Sequence, residues 1–470
     1  MYIDQCFPCS FRGLDMTDLT AINPATGETL ARYPRMGPEA LEAALARAAS
    51  AQQDWAAHPA SVRAQCLRDL AAVLRDQREA LARTATQEMG KRLVEARAEV
   101  DKCANACDYY ADRGPDFLQD TMIASDASRS FIAWQPLGTV LLVMPWNFPY
   151  WQAFRQALPA TLAGNTVLLK HASNVPGCAE HLERVFTEAG LPEGVFQNLP
   201  VGSGAVEGII ADTRVQGVSL TGSERAGRAV GAAAGKALKT SVLELGGSDA
   251  FVVLADADLD HTVEQAVRGR FQNNGETCIA AKRFIVEESI ADAFVERFRA
   301  AIEALVIGDP MSDDTNIGPL ARDDLRDELH DQVRRSVAAG ARLVTGGAPL
   351  ERAGYFYPPT LLDAVEPGMP AFDEETFGPV AAVTRARNAD HAITLANRSR
   401  FGLGGSVWTA DPVRGEVLAR RLECGCAFVN GIVKSDPRLP FGGVKDSGYG
   451  RELSELGIRE FQNAKTIWVG

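Results

Sequence analysis

The spacing of hydrophobic residues divides the chain into regions with different predicted secondary structure. Across residues 38–120, apolar side chains return every three or four positions among many alanines, arginines and glutamates. This period places the apolar residues on one stripe of a helix, which can then be buried against a core. We therefore predict long amphipathic helices over this part of the chain.

From about residue 138, short apolar runs alternate with helical stretches. Strands are predicted at 140–144, 166–169, 195–199, 215–220 and 242–245. Helices are predicted between them at 151–163, 177–189, 204–211 and 224–237. Such alternation is typical of βαβ units and therefore predicts a parallel sheet.

A second alternating region follows the first. Its predicted strands lie near 251–254, 283–286, 342–345, 380–384, 405–408 and 426–430. Its predicted helices lie near 259–273, 290–305, 322–338, 388–397 and 412–422. The sequence thus predicts an α/β fold with two lobes, and the boundary falls close to Gly246-Gly247.

Composition and charge exclude several classes of partner. Of the 470 residues, 46% are hydrophobic and 23% charged, as in ordinary globular proteins. The net charge of −13 argues against nucleic acid, which is a polyanion. No run approaches about 18 consecutive apolar residues, so no membrane span is expected. The six histidines show no metal-ligand spacing, and no metal site is predicted.

The first 16 residues differ in composition from the rest, and we expect a disordered extension there, with Met16 as an alternative start. They lack the basic start and apolar run of a secretion signal. Cys6 and Cys9 have the CxxC spacing of a redox pair or half a zinc site, but no second pair lies nearby. Nine cysteines without a secretion signal indicate reduced thiols and a cytoplasmic protein.

One cysteine lies in a segment that could carry chemistry. Cys278 ends the run 273–278, a predicted loop that follows a helix. A thiolate is a strong nucleophile and adds readily to an electrophilic carbonyl. A single cysteine is nevertheless more often a small buried hydrophobic residue, so this position alone does not define a catalytic site.

Polar residues also follow two predicted strands. Glu244 precedes Gly246-Gly247 at a strand end, where parallel strands face the ligand crevice, and its carboxylate could act as a general base. Asn147 lies in a turn fixed by Pro145 and Pro149, and its amide could donate to an oxyanion. Taken singly, each is better explained by hydrogen bonds within its own loop.

A third strand leads into a helix through Gly222 and Ser223. Small residues at a helix N-terminus leave backbone N–H groups open to a phosphate. The segment lacks the GxGxxG pattern of the usual dinucleotide fingerprint, so it predicts a phosphate site without identifying a cofactor.

Together these segments resemble, in order and spacing, the signature segments of NAD(P)-dependent aldehyde dehydrogenases. The matching segments are 144–149, 244–247, 274–278, 375–379 and 440–443. Residues 22–28 resemble the family's opening, so the resemblance extends from about residue 20 to 470. It implies two Rossmann-like parallel-sheet lobes, a small β oligomerisation arm, and oxidation of an aldehyde to a carboxylic acid.

The resemblance also implies roles for particular residues. Cys278 would attack the aldehyde to give a thiohemiacetal, and Asn147 would hold its oxyanion. After hydride transfer to the nicotinamide, Glu244 would activate the water that hydrolyses the thioester. The cofactor would contact a further set of residues, namely Trp146, Lys170, Ser173, Gly222, Ser223, Glu375 and Phe377.

The chain departs from the family pattern at two positions. Ser173 stands where the family often has a glutamate that bonds the adenosine 2′-hydroxyl and repels a 2′-phosphate. Because Ser173 is neutral, NAD, NADP or both remain open as the cofactor. Glu276 replaces a more usual glutamine before the nucleophile, and it would raise the pKa of the thiol if it pointed inwards. We expect it to point away.

The offsets of Arg155, Arg283 and Ser435 from the signature segments are similar to those in succinate-semialdehyde dehydrogenases. There, such residues bind the distal carboxylate of the substrate, and arginine suits this role because its fork matches a carboxylate. Either arginine could instead make a structural ion pair, with Arg283, which opens a strand, the stronger candidate. Another ω-carboxy or aliphatic aldehyde is an alternative substrate.

Two other functions stay open. A CoA-acylating semialdehyde dehydrogenase would share the fold and the nucleophile, but such relatives commonly lack the hydrolytic glutamate, which is present here as Glu244. A non-catalytic binding protein would need a damaged site, whereas Cys278, Glu244 and Asn147 are all in place.

By the resemblance, the NAD(P)-binding domain comprises residues 17–122 and 137–245, and the catalytic domain comprises 246–437. Residues 123–136 and 438–470 form an oligomerisation segment. The stretches 130–135 and 466–469 alternate like edge strands, which pair readily with another chain. A homodimer or homotetramer is expected.

Overall fold

The structure, a computed structural model, describes residues 15–470. Most of the predicted extension, including Cys6 and Cys9, therefore lies outside the described residues. Asp15, where the description begins, forms an ion pair with Arg35.

The N-terminal region is helical, as the spacing of its apolar residues predicts. A hairpin of β1 (Leu19–Ile22) and β2 (Thr29–Tyr33) precedes α1 (Pro38–Ala57), α2 (Ala60–Asp76), α3 (Arg78–Met89) and α4 (Leu93–Phe117). Leu67, Leu70 and Leu74 on α2 share one core with Val100 and Cys103 on α4. The three- and four-residue spacing thus puts the apolar side chains of both helices on facing stripes.

The first large sheet is parallel and is covered on both faces. Its strands are β5 (Thr139–Val143), β6 (Thr166–Lys170), β7 (Phe196–Asn198), β8 (Val215–Thr221) and β9 (Thr240–Glu244), in the order β9-β8-β5-β6-β7. The helices that follow are α5 (Trp151–Leu162), α6 (Pro176–Glu188), α7 (Val206–Ala211) and α8 (Glu224–Lys236). Val140 and Leu142 face one core and Leu141 faces another, because successive strand side chains alternate.

The second large sheet has the order β12-β13-β14-β11-β10-β16-β17. These strands are β10 (Asp249–Val253), β11 (Ala281–Glu287), β12 (Arg342–Thr345), β13 (Thr360–Asp363), β14 (Val380–Ala386), β16 (Gly404–Trp408) and β17 (Cys426–Val429). All are parallel except the edge strand β12. Its helices are α9 (Leu259–Phe271), α10 (Glu288–Glu303), α11 (Asp323–Ala338), α12 (Pro370–Asp373), α13 (Ala389–Asn397) and α14 (Pro412–Ala419). The α/β class is therefore confirmed.

The remaining strands form small antiparallel pairings. Strands β15 (Phe401–Gly402) and β18 (Val444–Lys445) pair with each other, and β19 (Gly448–Tyr449) adds to the first sheet beside β9. Helix α15 (Ser454–Arg459) leads into β20 (Gln462–Val469), which pairs with β4 (Arg129–Pro136), and β4 pairs with β3 (Thr121–Met122).

The expectation that residues 130–135 form an edge strand is wrong. In β4 these residues pair with β20 on one side and, in part, with β3 on the other. Residues 466–469 do lie on an edge, in β20, where Trp468 is 56% exposed. The two stretches alternate in sequence in a similar way although one is central and the other is at the edge, so the pattern does not reveal which strand is central.

Candidate active site

The loop before Cys278 is held in a backbone conformation that few residues adopt. Asn273, Asn274 and Gly275 all have positive φ, at 56°, 56° and 77°. Asparagine and glycine tolerate the left-handed region better than other residues, which explains why they occupy this run. A Cβ on Gly275 would lie 2.6 Å from the carbonyl of Gly378, so only glycine fits there.

Side-chain hydrogen bonds of Asn273 and Asn274 hold the loop before Cys278 in this backbone conformation. The Asn274 amide donates to the carbonyls of Gly90 and Pro319, both at 2.9 Å. The Asn273 amide donates to the carbonyls of Asn147 and Glu276, both at 3.0 Å. Backbone strain of this kind, paid for by surrounding contacts, is concentrated at functional sites.

Asn147 is tied to the same loop. Its side-chain amide donates to the Glu276 carbonyl at 3.1 Å, and the residue is 4% exposed. Asn147 follows β5, whose carboxyl end it shares with the ends of β8 and β9, as parallel strands require. The fold therefore brings the predicted amide next to the loop that carries the predicted thiol, although the two residues are far apart in sequence.

The two glycines between the sheets allow the nucleophile loop to approach the end of β9. A Cβ on Gly247 would lie 2.6 Å from the Cys278 carbonyl oxygen, and one on Gly246 would lie 2.4 Å from Glu375 Oε2. The first conflict is with backbone, which cannot move aside. Residues 246–247 thus bring Cys278, Glu375 and Glu244 into one region.

Glu244 is a buried carboxyl whose pKa is raised well above its usual range, first by burial and then by the charge of Glu452. It is 2% exposed, and its carboxylate oxygens have no hydrogen-bond partner within residues 15–470. The guanidinium of Arg155 opposes this shift. A carboxyl of raised pKa whose charge acts on the nucleophile is suited to general acid–base chemistry.

Burial also raises the pKa of the Cys278 thiol, to about 12, while the charges of Arg155 and Lys282 act in the opposite direction. The thiol is therefore protonated at neutral pH in the free chain, and a nucleophilic thiolate requires a base. Glu276 does not contribute to this shift. Its carboxylate accepts from the Ala321 N–H at 3.0 Å, away from the thiol, as the sequence led us to expect.

Cys278 lines a cavity of about 550 Å³ whose other walls come mainly from α4, α5 and α9. Phe148, Trp151 and Phe441 form its apolar wall, and Arg155 and Ser435 are also in its lining. The cavity therefore presents a nucleophile, an apolar section and cationic side chains, which suits a short aldehyde with an anionic end.

Arg155 is fixed by a buried ion pair. Its Nε lies 2.6 Å from Oε2 of Glu452, and both side chains are almost fully buried. Its guanidinium lies 4.7 Å from the centre of the Phe441 ring. The helix that carries it, α5, begins at the carboxylate of Glu99, which accepts the N–H groups of Tyr150 and Trp151 at 2.8 and 2.9 Å.

Arg283 does not line this cavity, so the structure argues against the substrate role that the sequence suggested. Its three guanidinium nitrogens donate to the carbonyls of Ser248, Leu395 and Ala396, at 2.9 to 3.1 Å. Arg283 therefore joins β11 to the end of α13 and has a structural role. The position of Arg283 relative to Cys278 in the sequence did not predict its contacts correctly, because its position on β11 directs the side chain towards α13.

Residues expected to bind the nicotinamide end of a cofactor lie beside the nucleophile loop. Glu375 accepts from the Gly247 N–H at 3.0 Å and lies 3.3 Å from the Nζ of Lys282. Phe377 meets Trp146 edge to face, with ring centres 5.7 Å apart. Glu375 is thus held in place by fixed donors and could present a carboxylate oxygen to a ribose.

The residues expected at the phosphate and adenosine end lie at carboxyl ends of the first sheet. Ser223 caps α8 by accepting from the Ala226 N–H at 3.4 Å, and both Ser223 and Ser173 are exposed. Gly222 precedes the cap, and Lys170 ends β6 with a pKa lowered by burial and by the charge of Arg35. An open helix N-terminus and a nearby lysine fit the phosphates and ribose of a dinucleotide.

Sequence reasoning missed three charged residues in this region, namely Lys102, Lys282 and Glu452. Lys282 is fully buried and donates to the carbonyls of Thr277 and Cys278 at 2.9 and 2.7 Å. A lysine within the apolar strand run 281–286 was a signal that could have found it, because charged side chains are rarely buried without partners.

Other kinds of site are not found in the part of the chain that is described. Residues 15–470 contain no cluster of three or more potential metal ligands. Within the same range, no helix has the length and apolar character needed to cross a membrane.

Comparison with known proteins identifies the family. The model of the aldehyde dehydrogenase family matches residues 13–467. The NAD(P)+ succinate semialdehyde dehydrogenase Sad of Escherichia coli (strain K12) is 52% identical over 452 residues, which cover 96% of this chain and 98% of that protein. A probable NADP+ succinate-semialdehyde dehydrogenase of Synechocystis is 49% identical, over 96% of this chain and 99% of that protein.

Solved structures agree with the sequence comparison. Succinic semialdehyde dehydrogenase from Streptococcus pyogenes, in complex with NADP+, has a TM-score of 0.94 and 38% identity, over 96% of this chain and 99% of that chain. Gox0499 has a TM-score of 0.95 and 42% identity, over 97% of this chain and 100% of that chain. The chain belongs to the aldehyde dehydrogenase family, which confirms the resemblance found in its signature segments.

Proposed function

We propose that this protein oxidises succinate semialdehyde to succinate with NAD or NADP. The observation that carries the proposal is the cavity whose lining contains Cys278, Arg155 and apolar side chains, that is, a nucleophile, a buried cation and an apolar section. The names of the relatives from Escherichia coli and Synechocystis support the same substrate class.

In the proposed mechanism, the Cys278 thiol first loses its proton to solvent water, and the thiolate attacks the aldehyde carbon while the Asn147 amide stabilises the resulting oxyanion. A bound nicotinamide dinucleotide supplies the hydride acceptor. The residues that would hold it are Glu375, Phe377 and Trp146 at the nicotinamide end, and a second group at the other end, comprising Lys170, Ser173, Gly222 and Ser223. Cys278 then carries a thioester, and Glu244 takes a proton from the water that hydrolyses it.

Arg155 and Ser435 would bind the distal carboxylate. Arg155 lines the cavity with its charge balanced by one buried carboxylate, and it is fixed by α5 rather than by a mobile loop. An arginine and a hydroxyl provide the donors that a carboxylate accepts. Glu244 favours hydrolysis over transfer of the acyl group to CoA.

The domain organisation and the assembly are parts of the proposal. Residues 17–122 and 137–245 would bind the cofactor, and 246–437 would carry the nucleophile. Residues 123–136 and 438–470, which pair as β4 and β20, would form a homodimer or homotetramer contact through the open edge of β20.

Steady-state kinetics with succinate semialdehyde and butyraldehyde, each with NAD and with NADP, test this function. The two aldehydes have the same carbon count and differ in the carboxylate. We expect kcat/KM to be at least about 100-fold higher for succinate semialdehyde, because a charge-assisted hydrogen-bond pair contributes about 3 kcal/mol. Equal kcat/KM values, or turnover that depends on CoA, would overturn the proposal.

A further inference from the structure

Lys102 is one of five cationic residues that line the proposed substrate cavity, the others being Arg92, Arg155, Arg268 and Lys434. Lys102, on α4, is in the lining together with Cys278, Arg155 and Ser435. Its Nζ lies 4.3 Å from the centre of the Trp151 ring and donates to the Ser435 hydroxyl oxygen at 2.8 Å. An ammonium has three N–H donors, and Ser435 takes one of them.

The hydrogen bonds at Ser435 show which kind of ligand fits between these residues. Its Oγ accepts from Lys102 Nζ and, at 3.0 Å, from Trp151 Nε1. A hydroxyl oxygen has two acceptor sites, so both are filled and the hydroxyl hydrogen must be donated elsewhere. Within residues 15–470 no acceptor receives it. The group that would complete this site is therefore an acceptor.

The charges point to an anionic acceptor. The charge of Arg155 lowers the pKa of Lys102, and within residues 15–470 the ion pair of Arg155 is with the carboxylate of Glu452. The same lining contains Glu95 and Glu99, but Glu95 pairs with Arg92 and Glu99 with Lys91. Lys102 and Arg155, beside a hydroxyl with a free hydrogen, therefore form a donor set for an anion with several oxygen acceptors.

We propose that Lys102 is a specificity-determining residue that binds the distal carboxylate of the aldehyde together with Ser435 and Arg155. This inference rests on the proposed function and adds a residue from α4, far from the signature segments, to the substrate site. Lys102, on α4, would then contribute to the preference for ω-carboxy aldehydes over neutral aldehydes.

The proposal makes this discrimination depend on pH. Burial lowers the pKa of Lys102 to about 8, and the charge of Arg155 acts in the same direction. Cys103 and Glu99 on α4, and Asp436 in the loop after β17, act in the opposite direction. The ammonium is present below pH 8 and is lost above it, so preference for the carboxylate should fall as pH rises through that value.

Lys102→Met, Lys102→Arg and the matched control Lys236→Met, at a largely exposed lysine on α8, test the inference. The readout is the ratio of kcat/KM for succinate semialdehyde to that for butyraldehyde, because effects on Cys278 chemistry cancel in the ratio. We expect Lys102→Met to lower the ratio about tenfold, mainly through KM for succinate semialdehyde. Lys102→Arg should restore most of it.

The same ratio measured from pH 6.5 to 9.5 gives an independent test. It should fall through about pH 8 in the wild type and in Lys236→Met, and stay flat in Lys102→Arg, because arginine does not titrate there. A wild-type ratio near one would overturn the proposed function itself. A high wild-type ratio that Lys102→Met leaves unchanged would overturn only the role of Lys102.

Discussion

Arg155 and Glu452 form an ion pair inside the protein, with Nε 2.6 Å from Oε2 and side chains that are 2% and 0% exposed. The pair joins α5 to the segment between β19 and α15, at the other end of the chain. It fixes the cation of the proposed carboxylate site, and the charge of Glu452 also raises the pKa of Glu244. One carboxylate thereby influences both substrate binding and hydrolysis.

The first prediction concerns Glu452→Gln. Removing one partner of a buried ion pair should lower the free energy of unfolding by about 3–5 kcal/mol, because the guanidinium of Arg155 stays buried without its counter-charge. The pKa of Glu244 should fall, since one cause of its rise is removed and Arg155 now acts on it more strongly. Urea denaturation measures the first effect.

Single-turnover release of succinate, followed as a function of pH, measures the second effect. A base is active above its pKa, so a lower pKa of Glu244 should move the midpoint of the acidic limb to lower pH. The exposed exchange Glu455→Gln on α15 serves as a control. A midpoint that stays in place in Glu452→Gln would show that Glu452 does not tune Glu244.

The second prediction separates the two chemical steps. In Glu244→Gln, formation of the thioester should continue, whereas its hydrolysis should slow by about 10²–10⁴, the usual contribution of a general base. We expect a burst of reduced cofactor of one equivalent per site, followed by a slow steady state. Cys278→Ser should abolish the burst. Loss of the burst in Glu244→Gln would instead place Glu244 in the first step.

Much of the fold follows from local sequence patterns. The predicted strands at 166–169, 215–220 and 342–345 coincide with β6, β8 and β12 within one or two residues, because each is an apolar run bounded by turn residues. Strand β13 was missed, since its apolar core is only Leu361 and Leu362 after two prolines. Its position in the sheet depends on pairing with β14 and β12, which lie outside any local window.

Site residues that directly follow strands could be predicted from the sequence. Site residues whose partners are distant in sequence could not. Asn147 and Glu244 were found because the carboxyl ends of parallel strands converge. Lys102 was not found, because its partner Ser435 is 333 residues away and its helix shows only an amphipathic pattern. The substrate role expected of Arg283 does not fit the structure, because an offset in sequence from Cys278 does not give the direction in which a side chain points.

The third prediction concerns Lys282, which links the nucleophile loop to Glu375. Its Nζ donates to the Cys278 carbonyl at 2.7 Å and lies 3.3 Å from Glu375 Oε1. Lys282→Met should lower the free energy of unfolding by about 3 kcal/mol and weaken cofactor binding about tenfold, because Glu375 loses its counter-charge. Equilibrium titration of cofactor fluorescence gives the affinity, with Lys236→Met as a control. Unchanged affinity would argue against a cofactor contact by Glu375.

The fourth prediction concerns the reactivity of Cys278 in the free enzyme. Because burial raises the pKa of its thiol to about 12, the thiolate fraction should rise about tenfold for each pH unit between 7 and 10. The rate of alkylation by iodoacetamide, followed by mass spectrometry of the peptide that contains Cys278, should rise in parallel without a plateau. Arg155→Met should slow the reaction at each pH, since the charge of Arg155 lowers the pKa of the thiol. A plateau near pH 8 would show that nearby cations outweigh burial, and that the thiol is already ionised before an aldehyde arrives.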